Sequence, residues 1–166
     1  MVLKSPPFPE EGAEMPPGPH PADDGLGCFV RRFMASDHAT RAVLAAIDAR
    51  LDALGIDPDD RASVELIVAE VLNNIGEHAY GGKAGPVELV IEIDRTGLVC
   101  RLSDRGVPLP GGVMAANGPP PIQPPENLPE GGFGWHIIRC LASELRYWRQ
   151  DGWNRLSFRV GLSGFD

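Results

Sequence analysis

Fifteen of the chain's 17 prolines fall in two segments, seven before residue 26 and eight between residues 106 and 130. Proline locks φ and lacks an N–H, so neither segment can form a helix interior or a central strand. Regular structure is thereby confined to about 26–105 and 131–162. Residues 1–25 combine their prolines with glycines and acids and carry few apolar groups. Such a segment cannot bury enough surface to offset its ordering entropy and is expected to be a flexible tail, with one domain over 26–166. The segment 106–130 is long for a connection inside a compact domain and reads as a lid or binding loop.

Between these breaks the hydrophobic pattern specifies elements. A strand is expected over about 27–35. Ser36 or Asp37 then caps a helix to about Leu54, with Val43, Leu44, Ile47, Leu51 and Leu54 on one stripe and Gly55 at its end. Asp57, Pro58, Asp59 and Asp60 combine a cap, a first-turn proline and acids that favour a helix N-terminus. The helix they open has Val64, Ile67, Val68, Val71, Leu72 and Ile75 on its apolar side. Two alternating runs follow, around Val87–Ile93 and Leu98–Leu102, and the hairpin-length link Asp94 to Gly97 pairs them antiparallel. Beyond the second proline cluster come a short helix from about Phe133 to Ala142 and two strands, 144–150 and 154–162. Asp151-Gly152 is a hairpin signal between them. This order predicts an α+β, two-layer sandwich with a mixed, mostly antiparallel sheet and helices on one face.

Bulk properties narrow the partners. A formal charge of −8 repels a long polyanion, which disfavours direct nucleic-acid binding and anionic membranes. No run approaches the roughly 18 apolar residues that span a bilayer, and the N-terminus lacks a signal-peptide core. A cytoplasmic location is the resulting expectation. Cys28, Cys100 and Cys140 are odd in number, far apart and in apolar contexts, which suits buried reduced thiols.

Three polar features stand out. Glu70, Asn74 and His78 are spaced i, i+4, i+8 and form one row at the flank of the second helix's apolar stripe. A carboxylate and a carboxamide one turn apart offer oxygen ligands for a hard cation such as Mg²⁺. The carboxylate could instead orient or deprotonate a hydroxyl. A solvated helix flank is the plainer alternative, but Asn73, Asn74 and Gly76 all weaken the helix there, and broken local rules tend to mark sites. Asp104 shares strand parity with Leu98, Cys100 and Leu102, so it faces inward and needs donors; the exocyclic amine of adenine is one, a capping role the other. Gly106 would let a ring pack against backbone. Gly131-Gly132-Phe133-Gly134 precedes a helix, where converging N–H groups can hold an anion or where a lid can hinge. Trp135, Trp148 and Trp153 read as packing residues. Arg146, Arg149, Arg155 and Arg159 form a basic strand face that could guide an acidic partner.

In combination these features resemble a known family. Glu70-Val-Leu-Asn-Asn74 with His78-Ala79-Tyr80, then Ser103-Asp104-Arg105-Gly106, a proline-rich lid, Gly131-Gly132-Phe133-Gly134 and the ending Asp151-Gly152-Trp153-Asn154-Arg155-Leu156 are similar to the boxes of the GHKL (Bergerat-fold) ATPases. Within that superfamily the resemblance is to the anti-sigma factor serine-protein kinases, over about residues 27–162. It implies ATP and Mg²⁺ as cofactors, with Asn74 as metal ligand and Glu70 as general base. Asp104 would bind the adenine amine and Gly106 pack under the base. Gly132 and Gly134 would hold phosphates, with His78 beside them or serving as a structural hydrogen-bonding group. The implied activity is phosphorylation of a STAS-domain anti-anti-sigma protein on serine or threonine, together with sequestration of a sigma factor by a homodimer. Pro108 replaces the second glycine of one box and Gly76 an aliphatic position. A non-catalytic, ATP-gated binding module and a detached histidine-kinase domain are the competing functions. The catalytic base speaks against the first, and the lack of an upstream phosphoacceptor helix against the second.

Overall fold

A computed structural model describes residues 27–109 and 132–163 of the chain. The expected tail and most of the expected lid, from residue 110 through Gly131, lie outside the described residues.

The strand β1 (Gly27–Met34) leads into α1 (Asp37–Ala53). Ser36 is its cap: the hydroxyl oxygen accepts from the Ala39 N–H at 3.0 Å. Val43, Ile47 and Leu51 are the buried stripe, and Gly55 leaves the helix at φ +75°, where a side chain would be strained. The helix α2 (Pro58–Asn74) starts as its acids and proline require, with the Asp57 carboxylate accepting from the Asp59 N–H at 2.9 Å. It does not stop where its α-helical bonding ends. Residues Ile75–Ala79 continue as a π-helical turn, in which the Tyr80 N–H reaches the Ile75 carbonyl at 3.0 Å. Such wide turns concentrate at functional sites, and here the turn lies on the stretch that Asn73, Asn74 and Gly76 weaken.

The hairpin β2 (Pro86–Ile93) and β3 (Gly97–Asp104) pairs Val87 with Asp104 and Ile93 with Leu98. Asp94 builds its turn, accepting from the Thr96 N–H (2.7 Å), the Thr96 hydroxyl (2.8 Å) and the Gly97 N–H (3.0 Å). The short helix α3 (Gly132–Leu141) precedes β4 (Ser143–Gln150) and β5 (Trp153–Gly161). Asp151 and Gly152 between them both have positive φ, +53° and +77°, the requirement of a tight hairpin whose twist matches its strands.

The sheet order is β1-β2-β3-β5-β4, so the chain passes from β3 to the far edge and returns to fill the gap. Every pairing is antiparallel, the limiting case of the mostly antiparallel sheet that the pattern predicts. The inward strand residues, among them Leu89, Ile91, Cys100, Leu102, Leu156 and Phe158, merge with the helical stripes and Ile138 of α3 into one core. The opposite face is polar and carries the ion pairs Arg32–Glu88 and Arg101–Glu92. The thiols divide differently from expectation. All three are free, but only Cys100 is buried; Cys28 is half-buried and Cys140 is exposed near the end of α3. No helix among the described residues is long and apolar enough to cross a membrane.

Candidate nucleotide-binding site

Where the π turn and the end of α2 meet the ends of β3 and β5, a partly open pocket forms. Leu102 and Leu156 on the sheet and Val71 and Ile75 on the helix give it an apolar interior, while Asn74, Asp104, Tyr147 and Asn154 add polar groups. Val107, Leu109 and Trp135 complete the lining. A mostly apolar cleft with a few convergent polar groups is the usual form of a small-molecule site.

Asp104 is 6% exposed, as its strand parity predicts. Its Oδ1 accepts from Asn154 Nδ2 at 2.8 Å and from the Gly106 N–H at 2.8 Å. Among the described residues no hydrogen bond reaches Oδ2, which leaves an open acceptor there. Burial raises the Asp104 pKa above the usual aspartate value, and the two hydrogen bonds and the nearby Arg149 guanidinium only partly offset it.

Gly106 is under a constraint that the sequence does not show. A Cβ there would lie 2.3 Å from the Ala79 carbonyl oxygen, so the glycine is required by the crossing of two main chains. The Val107 N–H donates to that same carbonyl at 2.8 Å, joining the segment after β3 to the end of the π turn. Tyr80 reinforces the junction: its hydroxyl donates to the Pro86 carbonyl (2.6 Å) and accepts from the Arg105 N–H (2.8 Å).

At the other end, Glu70, Asn74 and Gly134 converge. A Cβ on Gly134 would stand 2.5 Å from Glu70 Oε2 and 3.7 Å from Asn74 Nδ2. The start of α3 thus lies directly against the Glu70 carboxylate, which would have to move aside for any larger residue at 134. Glu70 is half-buried beside the pocket rather than in its lining. Asn74 is 8% exposed, and its Nδ2 is buried with no hydrogen-bond partner. An orphaned buried polar atom is costly, and a half-turn of the carboxamide would put Oδ1 in its place. The donor set therefore fits a hard cation held by one amide oxygen with ligand oxygens completing its shell. No group of three or more His, Cys, Asp or Glu suited to a metal occurs among the described residues. Such an all-protein cage is not the form in which Mg²⁺ beside phosphates is usually bound.

His78 does not join this group. It lies within the π turn at an exposed position outside the pocket lining. Gly132 opens α3 one residue before the expected start. Four residues to which the sequence reading gave no part in the pocket line it or bond its walls: Asn154, Tyr147, Arg149 and Trp135. Asn154 could have been found from its strand parity, since it is a polar residue in register with Leu156, Phe158 and Val160, which all face the core. Trp135, expected to pack, is part of the pocket wall.

Comparisons with known proteins agree with this architecture. The model of the histidine kinase-like ATPase domain matches residues 33–160. The chain is 28% identical over 101 residues to the serine-protein kinase RsbW of Bacillus mycoides (strain KBAB4), covering 60% of this chain and 63% of that protein. It matches the serine-protein kinase RsbW of Bacillus cereus (strain AH820) with the same identity and coverage. The match thus spans somewhat less than two thirds of these relatives. In fold the chain is similar to the crystal structure of the RsbU and RsbW domains of Rv1364c from Mycobacterium tuberculosis. There the TM-score is 0.59 at 19% identity, over 82% of this chain and 32% of that one. With the family match covering most of its length, the chain belongs to the histidine kinase-like ATPase domain family.

Proposed function

We propose that the chain is an ATP-dependent serine/threonine-protein kinase of the cytosol, acting as an anti-sigma regulatory factor. The observation that carries the proposal is the convergence of Glu70, Asn74 and Gly134 beside a pocket that also holds Asp104. In this reading adenine enters the apolar part of the pocket and its amine donates to Asp104 Oδ2. The triphosphate runs toward the start of α3, where Gly132 and Gly134 leave main-chain N–H groups accessible. Asn74 would hold Mg²⁺, which when bound neutralises charge on the phosphates.

Glu70 accepts the proton of a serine or threonine hydroxyl. That oxygen forms a bond to the γ-phosphorus as the bond to the bridging oxygen breaks and ADP leaves. The substrate class, by resemblance to the family, is a STAS-domain anti-anti-sigma protein, and the dephosphorylated partner competes with a sigma factor for a homodimer of this chain. His78, away from the pocket, has a structural part at the helix end.

Radiolabelled ATP, Mg²⁺, the full chain and a cognate STAS protein provide the test. Acid-stable label on serine or threonine is the expected result. Verified binding of both ATP and partner without transfer would replace the kinase by an ATP-gated binding module. Glu70 favours catalysis, because a module that only binds requires no base.

A further inference from the structure

Asn154 is 4% exposed, and its carboxamide is fully engaged. Its Nδ2 donates to Asp104 Oδ1 (2.8 Å) and is shared with the carbonyls of Gly106 (3.1 Å) and Val107 (3.2 Å). Its Oδ1 accepts from the Tyr147 hydroxyl (2.9 Å) and from Arg149 Nη1 (2.6 Å). Since Arg149 can only donate and the carbonyls can only accept, the orientation of the amide is determined. The network extends to the main chain after β3: the Leu109 N–H donates to the Tyr147 hydroxyl (3.0 Å), and Arg149 Nη1 also donates to the Gly106 carbonyl (3.0 Å).

The β4–β5 hairpin therefore holds two things together, the carboxylate of Asp104 and the backbone from Gly106 to Leu109. The latter is the root of the segment that leaves the described structure at residue 110. We propose that Tyr147 and Arg149, acting through Asn154, are positioning residues that set the affinity and selectivity of the pocket for a base bearing an amino group. The proposal rests on the nucleotide reading above. A carboxylate whose Oδ1 is doubly bonded has Oδ2 left to accept. An amine at that place is bound, while a carbonyl oxygen there meets an ionised acceptor and is rejected. Once the carboxylate is free to rotate and residues 106–109 are free to move, that discrimination weakens. Tyr147 also lines the pocket, as do Val107 and Leu109, so a displaced root alters the wall that the base touches.

The hairpin does not depend on this network for its own pairing, which runs from Arg146 to Gln150 against Trp153 to Ser157. The decisive variant is Tyr147→Phe, which keeps the ring and removes only the hydroxyl. Hydrogen exchange on the nucleotide-free full chain should show the Leu109 amide opening faster by about tenfold, with global protection unchanged. Calorimetry should show ATP affinity lowered by about tenfold, a reduced preference for ATP over GTP and an unchanged ratio of ATP to ADP affinity. Arg149→Met should act in the same direction, with Arg149→Lys recovering part of the loss.

Unchanged exchange at Leu109 together with an unchanged ATP to GTP ratio overturns the proposal. So does a uniform loss of protection and melting temperature without a change in selectivity, because the hydroxyl is then structural only. Wild-type protein that binds no adenine nucleotide overturns the reading of the pocket, and the selectivity half of the inference with it. The anchoring of Leu109 then stands or falls on the exchange result.

Discussion

At the Asp104 end of the pocket, Tyr147 and Arg149 engage Asn154, and together with Tyr80 they hold the main chain from residue 105 to 109. At the Asn74 end, Glu70 faces a glycine, the Asn74 amide nitrogen has no partner, and the helix is distorted into a π turn. The first end is finished without a ligand except for Oδ2 of Asp104, and the second is not. A preorganised end binds with little ordering cost and supplies specificity. An end with an unsatisfied buried group has its hydrogen-bonding capacity reserved for what arrives, and chemistry belongs there.

Substitutions separate the two ends. The largest effect is expected at Glu70. Glu70→Gln keeps shape and hydrogen bonding but removes the base, and phosphoryl transfer should fall by about 10²–10⁴-fold while ATP still binds. Wild-type turnover in a transfer assay would move the reacting centre away from this end. Asn74→Ala should weaken Mg·ATP by roughly 100-fold, equivalent to about 2.7 kcal/mol. It should leave the melting temperature unchanged or raise it, because the atom removed is a buried amide without a partner. Undiminished Mg·ATP affinity in calorimetry would cancel the metal assignment, and a large fall in melting temperature would show that the amide is satisfied after all.

Gly106→Ala tests the finished end and should act on stability first. Its Cβ meets a backbone carbonyl that cannot swing aside, for an expected loss of about 1–3 kcal/mol in denaturant unfolding. A neutral result would mean that the crossing with Ala79 is looser than it stands.

The smallest and most selective effect is that of pH. Asp104 has a raised pKa, chiefly from burial, so it binds a proton more tightly folded than unfolded. Its protonation stabilises the fold at acid pH, and this contribution is lost as pH rises through the raised value. Nucleotide affinity runs the other way, falling as pH drops through that same value, because the protonated group no longer presents a free anionic acceptor. Asp94, far from the pocket, has the opposite sign. Hydrogen bonds from Thr96, and Arg159 after them, lower its pKa to about 2. Its contribution to stability is present above the ordinary value of 3.8 and fades as pH falls toward about 2. Titrating ATP affinity in Asp104→Asn should flatten the acid limb, whereas Asp94→Asn should leave that limb in place. An unaltered acid limb in Asp104→Asn would assign it to another group.

Local signals carried much of the fold. Ser36, Asp57 and Pro58 start their helices where capping chemistry requires, and Asp94 and Asp151-Gly152 turn their hairpins, because each acts over a few residues of chain. Asp104 was legible as an inward carboxylate from parity alone. The place of His78 was not, since a shared row on a helix does not say how far along it the pocket extends. Nor was the reason for Gly106, whose close neighbour Ala79 is 27 positions earlier in the chain.

The sequence by itself determined most of the elements, their order, the pairing of Glu70 with Asn74 on one helix flank and the inward Asp104, because period, parity and caps are properties of neighbouring residues. Tertiary structure alone decided that β5 enters between β3 and β4 and so brings Asn154 to Asp104, 50 residues away. It also decided that Gly134 meets Glu70. Those contacts exist only once one core is closed on both sides, and no local pattern encodes which distant polar group completes another.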